Sequence, residues 1–144
     1  MSVQWKELAA RSHYQTAQAV DEALRRGDVP QAMAGIEELI EAMARSDRRA
    51  LKSQLIRLMT HVIKWKAQPE RRSRSWRATI RSARREIAEI QEETPSLNRA
   101  KIESLWDDCF ETAKEEAEAE MEKATKVRSL KWRDVFETEY ELEA

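Results

Sequence analysis

The stretch Trp65-Lys-Ala-Gln-Pro-Glu-Arg-Arg-Ser-Arg-Ser-Trp76 decides the fold, because it breaks a long helical pattern with a proline and gathers positive charge at the break. Upstream of it, Leu51, Leu55, Leu58, Val62 and Trp65 recur at alternating steps of four and three, flanked by Ile56, Met59 and Ile63. A stripe that broad belongs to a central helix that touches several neighbours. Gln68-Pro69 ends this helix, since the residue before a proline is pushed out of the helical region. Downstream, Ser73 or Ser75 caps a further helix in which Trp76, Ile80, Ala83, Ile87 and Ile90 repeat the same spacing as far as Thr94-Pro95.

The pattern extends in both directions. Ser2 to Arg26 reads as an N-terminal helix closed by Gly27, with Trp5 and Tyr14 as the aromatics that dock it. Asp28 caps the next helix, with Pro30 in its first turn and Gln31 as capping-box partner; Val29, Ala32, Met33, Ile36, Leu39, Ile40 and Met43 make its apolar face. Ser46-Asp47 carries the chemistry of a turn and restart, although nothing there forbids one continuous helix. The longest helix starts near Ser96 and aligns Ile102, Leu105, Trp106, Cys109, Ala113, Ala117, Met121 and Ala124. The tail from Ser129 to Ala144 is acidic, yet Leu130, Trp132, Val135, Phe136, Tyr140 and Leu142 make it too apolar to stay solvated. It is expected to fold back on the bundle or to cover a partner subunit.

Composition agrees. The 144 residues are 37% charged and 41% hydrophobic, with two glycines and three prolines, a balance typical of helices with solvated faces. The expected fold is all-α, an antiparallel bundle of four to five helices in one domain over 1–144, with a core bundle over 28–124, an N-terminal helix over 2–26 and a tail over 129–144. The single cysteine, Cys109, excludes an internal disulfide and any paired-cysteine zinc site. No apolar run approaches the ~20 residues that a membrane helix requires, and neither export nor membrane insertion is indicated. A cytoplasmic protein is expected.

Charge is segregated along the chain. Lys64 to Arg85 holds nine basic residues against Glu70 alone, a net +8, whereas Glu103 to Ala144 holds fourteen acidic against six basic residues, a net −8. Seven of the nine are arginine, the side chain suited to bidentate carboxylate or phosphate contacts. Arg77, Arg81 and Arg84 flank the apolar seam of their helix as Glu103, Asp107 and Glu118 flank theirs, so internal pairing competes with an acidic protein partner and with nucleic acid.

The turn itself offers the nearest approach to a site. His61, Lys64 and Gln68 lie beside the seam of the central helix, and Arg71, Arg72, Ser73, Arg74, Ser75 and Arg77 gather donors and positive potential at the next helix start. An anion is expected there, with a carboxylate of Glu38 or Glu41 as the internal candidate. Trp65, Pro69 and Trp76 are structural in this reading, with both tryptophans in one core. Glu38, Glu41 and His61 also define a metal or enzyme alternative, but bundle metal sites use Glu-x-x-His pairs and the residue three before His61 is Leu58; for nucleophilic catalysis there is only Cys109, with His13 or His61 far off in sequence and no supporting signature. No catalytic residue, metal or cofactor is therefore assigned.

The run Arg45-Ser-Asp-Arg-Arg-Ala-Leu-Lys-Ser-Gln-Leu, then His61-Val-Ile-Lys-Trp-Lys-Ala-Gln-Pro-Glu-Arg-Arg-Ser-Arg-Ser-Trp-Arg-Ala-Thr-Ile-Arg, then Thr94-Pro-Ser-Leu, resembles the bacterial domain-of-unknown-function family number 29. The likeness covers roughly residues 28 to 124 and is strongest over His61 to Arg81, where the family has a His-x-x-Lys-Trp-x-x-Gln-Pro-Glu-Arg-Arg-Ser-x-Ser-Trp pattern. The chain departs from it at Ala44, where a glycine is usual, and in its first helix. The resemblance implies a compact helical bacterial protein with no assigned activity. The function expected is a non-enzymatic interaction module, with self-association or an acidic protein as partner, nucleic acid as the alternative, and no membrane.

Overall fold

The computed structural model describes residues 3–143, and among them six α-helices and no strand. They are α1 (Trp5–Arg11), α2 (His13–Arg25), α3 (Val29–Ala67), α4 (Arg74–Glu93), α5 (Arg99–Met121) and α6 (Trp132–Phe136), with a 3-10 turn over Pro69–Arg71 between α3 and α4. The all-α bundle expected from the periodicity is present. None of these helices is long and apolar enough to cross a membrane. Contacts divide the chain into two compact units, with the boundary between Arg48 and Arg49.

The first unit holds α1, α2 and the start of α3. The single N-terminal helix expected from the sequence is two helices, because Ser12 is extended and its side chain caps α2 through the Gln15 N–H at 3.0 Å. Gly27, at φ 78°, closes α2: its N–H reaches the Leu24 carbonyl while the Asp28 N–H reaches Ala23, a left-handed cap that satisfies two orphan carbonyls. Trp5 is buried and docks α1, whereas Tyr14 is exposed and docks nothing. The Trp5 indole N–H donates to Gln31 Oε1 at 2.8 Å, so Gln31 braces the tryptophan while its own N–H meets the Asp28 cap. Gly35 leaves room for this packing: a Cβ there would come within 2.6 Å of the Trp5 ring and 2.7 Å of Val20.

α3 runs unbroken through Ser46-Asp47. Serine and aspartate cost a helix interior only a few tenths of a kcal/mol each, and no glycine or proline stands nearby to end it.

The second unit is built on the remainder of α3. Leu51, Leu55, Leu58, Val62 and Trp65 form one core with Ile80, Ala83 and Ile87 of α4 and Ile102, Cys109, Phe110, Ala113 and Ala117 of α5. Directions follow from cross-links between helices. Arg57 meets Ser82 and Lys64 meets Trp76, so α4 runs antiparallel to α3. Lys52 meets Cys109, Thr60 meets Glu116 and Lys64 meets Glu120, so α5 returns parallel to α3. The tail folds back as expected. Leu130 and Val135 are buried in the same core, and Trp132, Phe136 and Tyr140 pack against it.

Candidate functional site

Pro69 ends α3, and the Ser73 hydroxyl accepts the Trp76 N–H at 3.2 Å to start α4. Between them the chain makes one tight turn that brings Trp65 and Trp76 into a single core, Trp65 buried and Trp76 half-buried. Around this turn most of the basic block is occupied internally. Arg72 Nε donates to the Trp65 carbonyl at 2.8 Å, and its guanidinium lies over the Trp65 ring. That carbonyl belongs to the last turn of α3, where the helix leaves acceptors unpaired and a cation is favoured. Lys64 sits over the Trp76 ring and reaches Glu120 at 3.0 Å; Lys66 reaches Asp134 at 3.0 Å.

Farther along α4 the arginine stripe meets the tail. Arg77 Nη2 lies 2.9 and 3.0 Å from the two oxygens of Glu141, and Arg81 lies 3.7 Å from the same carboxylate. Arg84 donates from Nε to the Val135 carbonyl at 2.8 Å and from Nη2 to the Thr138 carbonyl at 2.9 Å. Internal pairing is therefore observed: the arginines of α4 pair through the tail, and Lys64 pairs with Glu120 of α5. Of the α5 carboxylates, Glu103 bonds Arg99 one turn away and Glu118 accepts the Thr125 N–H of the following loop. In the sequence, Asp134, Tyr140 and Glu141 carry no signal as partners of the basic block beyond lying in an acidic segment with aromatics.

Burial sets the titration of this corner. It lowers the Arg84 pKa, against the opposing pull of Tyr140 and Glu139, and pushes the Tyr140 hydroxyl up to about 12. Tyr140 keeps its proton, which it donates to the Asp134 carbonyl at 2.6 Å, while its ring stands edge-on to Trp65. Burial also pushes the Asp134 carboxyl up, but the Lys131 N–H and the Lys66 ammonium outweigh it and hold the group below its usual value.

The other residues expected at the turn are spread over several places. His61 lines a groove of about 450 Å³ together with Arg49, Lys52, Ser53, Thr60 and Glu116. Its Nδ1–H donates to the Arg57 carbonyl at 2.9 Å, leaving Nε2 as the free acceptor. Burial lowers its pKa, Lys64 adds to the lowering, and the bond to Arg57 opposes it. Gln68 lines a different hollow, of about 420 Å³, with Lys66, Lys123, Thr125 and Lys126. Arg71, Arg74 and Ser75 are exposed. Glu38 and Glu41 belong to the first unit; Glu41 lies 4.0 Å from Arg45, and Glu38 Oε2 is buried without a partner among the described residues. Cys109 is a poor nucleophile, since burial pushes its thiol up to about 11. Among the described residues no group of three or more His, Cys, Asp or Glu side chains is placed to hold a metal ion.

The sequence matches, over residues 11–140, the family described as Domain of unknown function DUF29. The chain belongs to this family. The match extends beyond the 28–124 core of the resemblance, into α2 and through most of the tail, so Val135 and Thr138, which accept from Arg84, lie within the family's span, whereas Glu141, the partner of Arg77 and Arg81, lies just beyond it. No curated protein and no solved structure matches the chain.

Proposed function

We propose that the chain is a non-enzymatic helical interaction module whose arginine-rich corner, residues 64–85, recognises an acidic segment of a protein partner. The observation that carries this reading is the α4 stripe, where Arg77 and Arg84 hold a carboxylate and two peptide carbonyls of an acidic, aromatic-bearing segment. The chain's own tail thus illustrates the chemistry that the surface accepts. Arg71, Arg74 and Arg85 remain exposed beside it for an external acidic segment.

Nucleic acid is the weaker reading. Six of the nine basic residues, Lys64, Lys66, Arg72, Arg77, Arg81 and Arg84, already have internal partners, and the full chain carries a net charge of −1. Little of the block is left for a phosphate backbone.

The test is a fluorescence-anisotropy titration of a labelled glutamate-rich peptide. Binding that weakens as salt rises, and that Arg71→Glu with Arg74→Glu abolishes, is the expected result. Affinity unchanged by that double substitution would refute the assignment.

A further inference from the structure

Seven of the eight large apolar side chains left exposed among the described residues lie in the first unit. Five of them, Val29, Met33, Ile36, Ile40 and Met43, follow one another along α3 at steps of four, three, four and three. At 3.6 residues per turn these positions fall within an arc of about 80°. They are 41% to 61% exposed, so this seam of α3 faces solvent. It is not the face used by α1 and α2, which pack Trp5 and Val20 against α3 at Gly35.

We propose that this stripe is the seam of a homodimer, in which two copies lay α3 on α3 about a two-fold axis. The spacing is that of knobs entering the holes of a facing helix, and no charged residue interrupts it. A seam without an internal cation or carboxylate selects no partner by charge; what it fits is a surface of the same kind. A two-fold contact supplies one, because the same patch serves on both sides. The area reaches what a weak, reversible dimer needs. The five side chains of the stripe at about half exposure expose on the order of 500 Å² of apolar surface, at the upper end of the patches that a monomer carries. Counted on both copies, that is on the order of 1,000 Å², the lower bound for a specific interface. This surface is separate from the arginine corner and does not depend on the reading given for it.

Sedimentation velocity on the full chain, from micromolar to submillimolar concentration, tests the proposal. The expected species is twice the chain mass of 16.9 kDa. Ile36→Lys combined with Ile40→Lys places two charges in the seam at solvent-facing positions, and is expected to give a monomer with unchanged helical circular dichroism. Should the lysines disturb folding, Ile36→Ser with Ile40→Ser serves instead and is expected to raise the dimer Kd at least about tenfold. A wild-type chain that stays monomeric throughout, or a folded variant that dimerises as tightly as wild type, overturns the proposal. Monomers that pair only with a helix of another protein overturn it too.

Discussion

Arg84 holds the tail by its backbone: Nε donates to the Val135 carbonyl at 2.8 Å, and the neighbouring Nη2 takes the Thr138 carbonyl. Its planar fork spans two acceptors that no side-chain change in the tail would remove. Arg84→Ala is expected to cost about 1.5–3 kcal/mol in a urea titration, the range for hydrogen bonds from a charged donor. Arg84→Lys should recover little, since an ammonium lacks the fork. Arg81→Ala serves as the contrast. Its 3.7 Å pair with Glu141 is more than half exposed on both sides, so its loss should cost under about 0.5 kcal/mol.

Trp65 and Trp76 share a core but differ in burial. Trp65→Ala should cost about 3–5 kcal/mol, as large-to-small changes at a filled site do. Trp76→Ala, at a half-buried position, should cost about 1–3 kcal/mol. A Trp65 variant that lost under about 1 kcal/mol would show that the ring is not part of the core.

Two truncations separate the parts of the tail. A chain ending at Tyr140 keeps Leu130, Val135 and the Arg84 contacts and loses Leu142 and the Glu141 pairs to Arg77 and Arg81, so its melting temperature should fall slightly. A chain ending before Leu130 uncovers Trp106, whose indole N–H donates to the Leu130 carbonyl, and leaves Arg84 without acceptors. It should melt far lower or fail to fold, since each large buried apolar side chain is worth ~1.5–3 kcal/mol.

The helix boundaries at Gln68-Pro69 and Thr94 were legible, and that before α4 to within Ser73 or Ser75, because proline and serine act locally, on φ and on the first free N–H groups. The break at Ser12 was not, because no proline or glycine marks it; a serine serves a helix start only if the chain leaves the helix there. Continuity through Ser46-Asp47 was open in the sequence, where capping residues weigh against a helix only slightly. The corner was partly legible. Arginines beside an apolar seam announced pairing, but two of the acceptors are backbone carbonyls of Val135 and Thr138, and a carbonyl has no signature in a sequence. The carboxylates of α5 looked equally suitable, yet Glu103 and Glu118 are satisfied by near neighbours in the chain.

His61 gives the fold a pH dependence of definite sign. Its pKa is lowered in the folded state from the ordinary 6.5, so below that value the unfolded chain binds the extra proton. Stability from this residue is complete above pH 6.5 and falls as pH drops from there to the folded pKa. Asp134, also lowered, adds a second loss only at lower pH, beneath its ordinary 3.8. Urea titrations at about pH 7 and about pH 5 should show wild type losing more stability than His61→Gln. Equal losses in both proteins would mean that His61 does not carry the effect.

The most direct measurement of what the corner recognises is a side-by-side titration at low salt, with a labelled acidic peptide in one series and labelled single- and double-stranded DNA and RNA in the other. Salt-sensitive binding of the peptide, lost with Arg71→Glu and Arg74→Glu, and no binding of nucleic acid is the expected result. Nucleic acid bound as tightly as the peptide, with an affinity that falls steeply as salt rises, would contradict it.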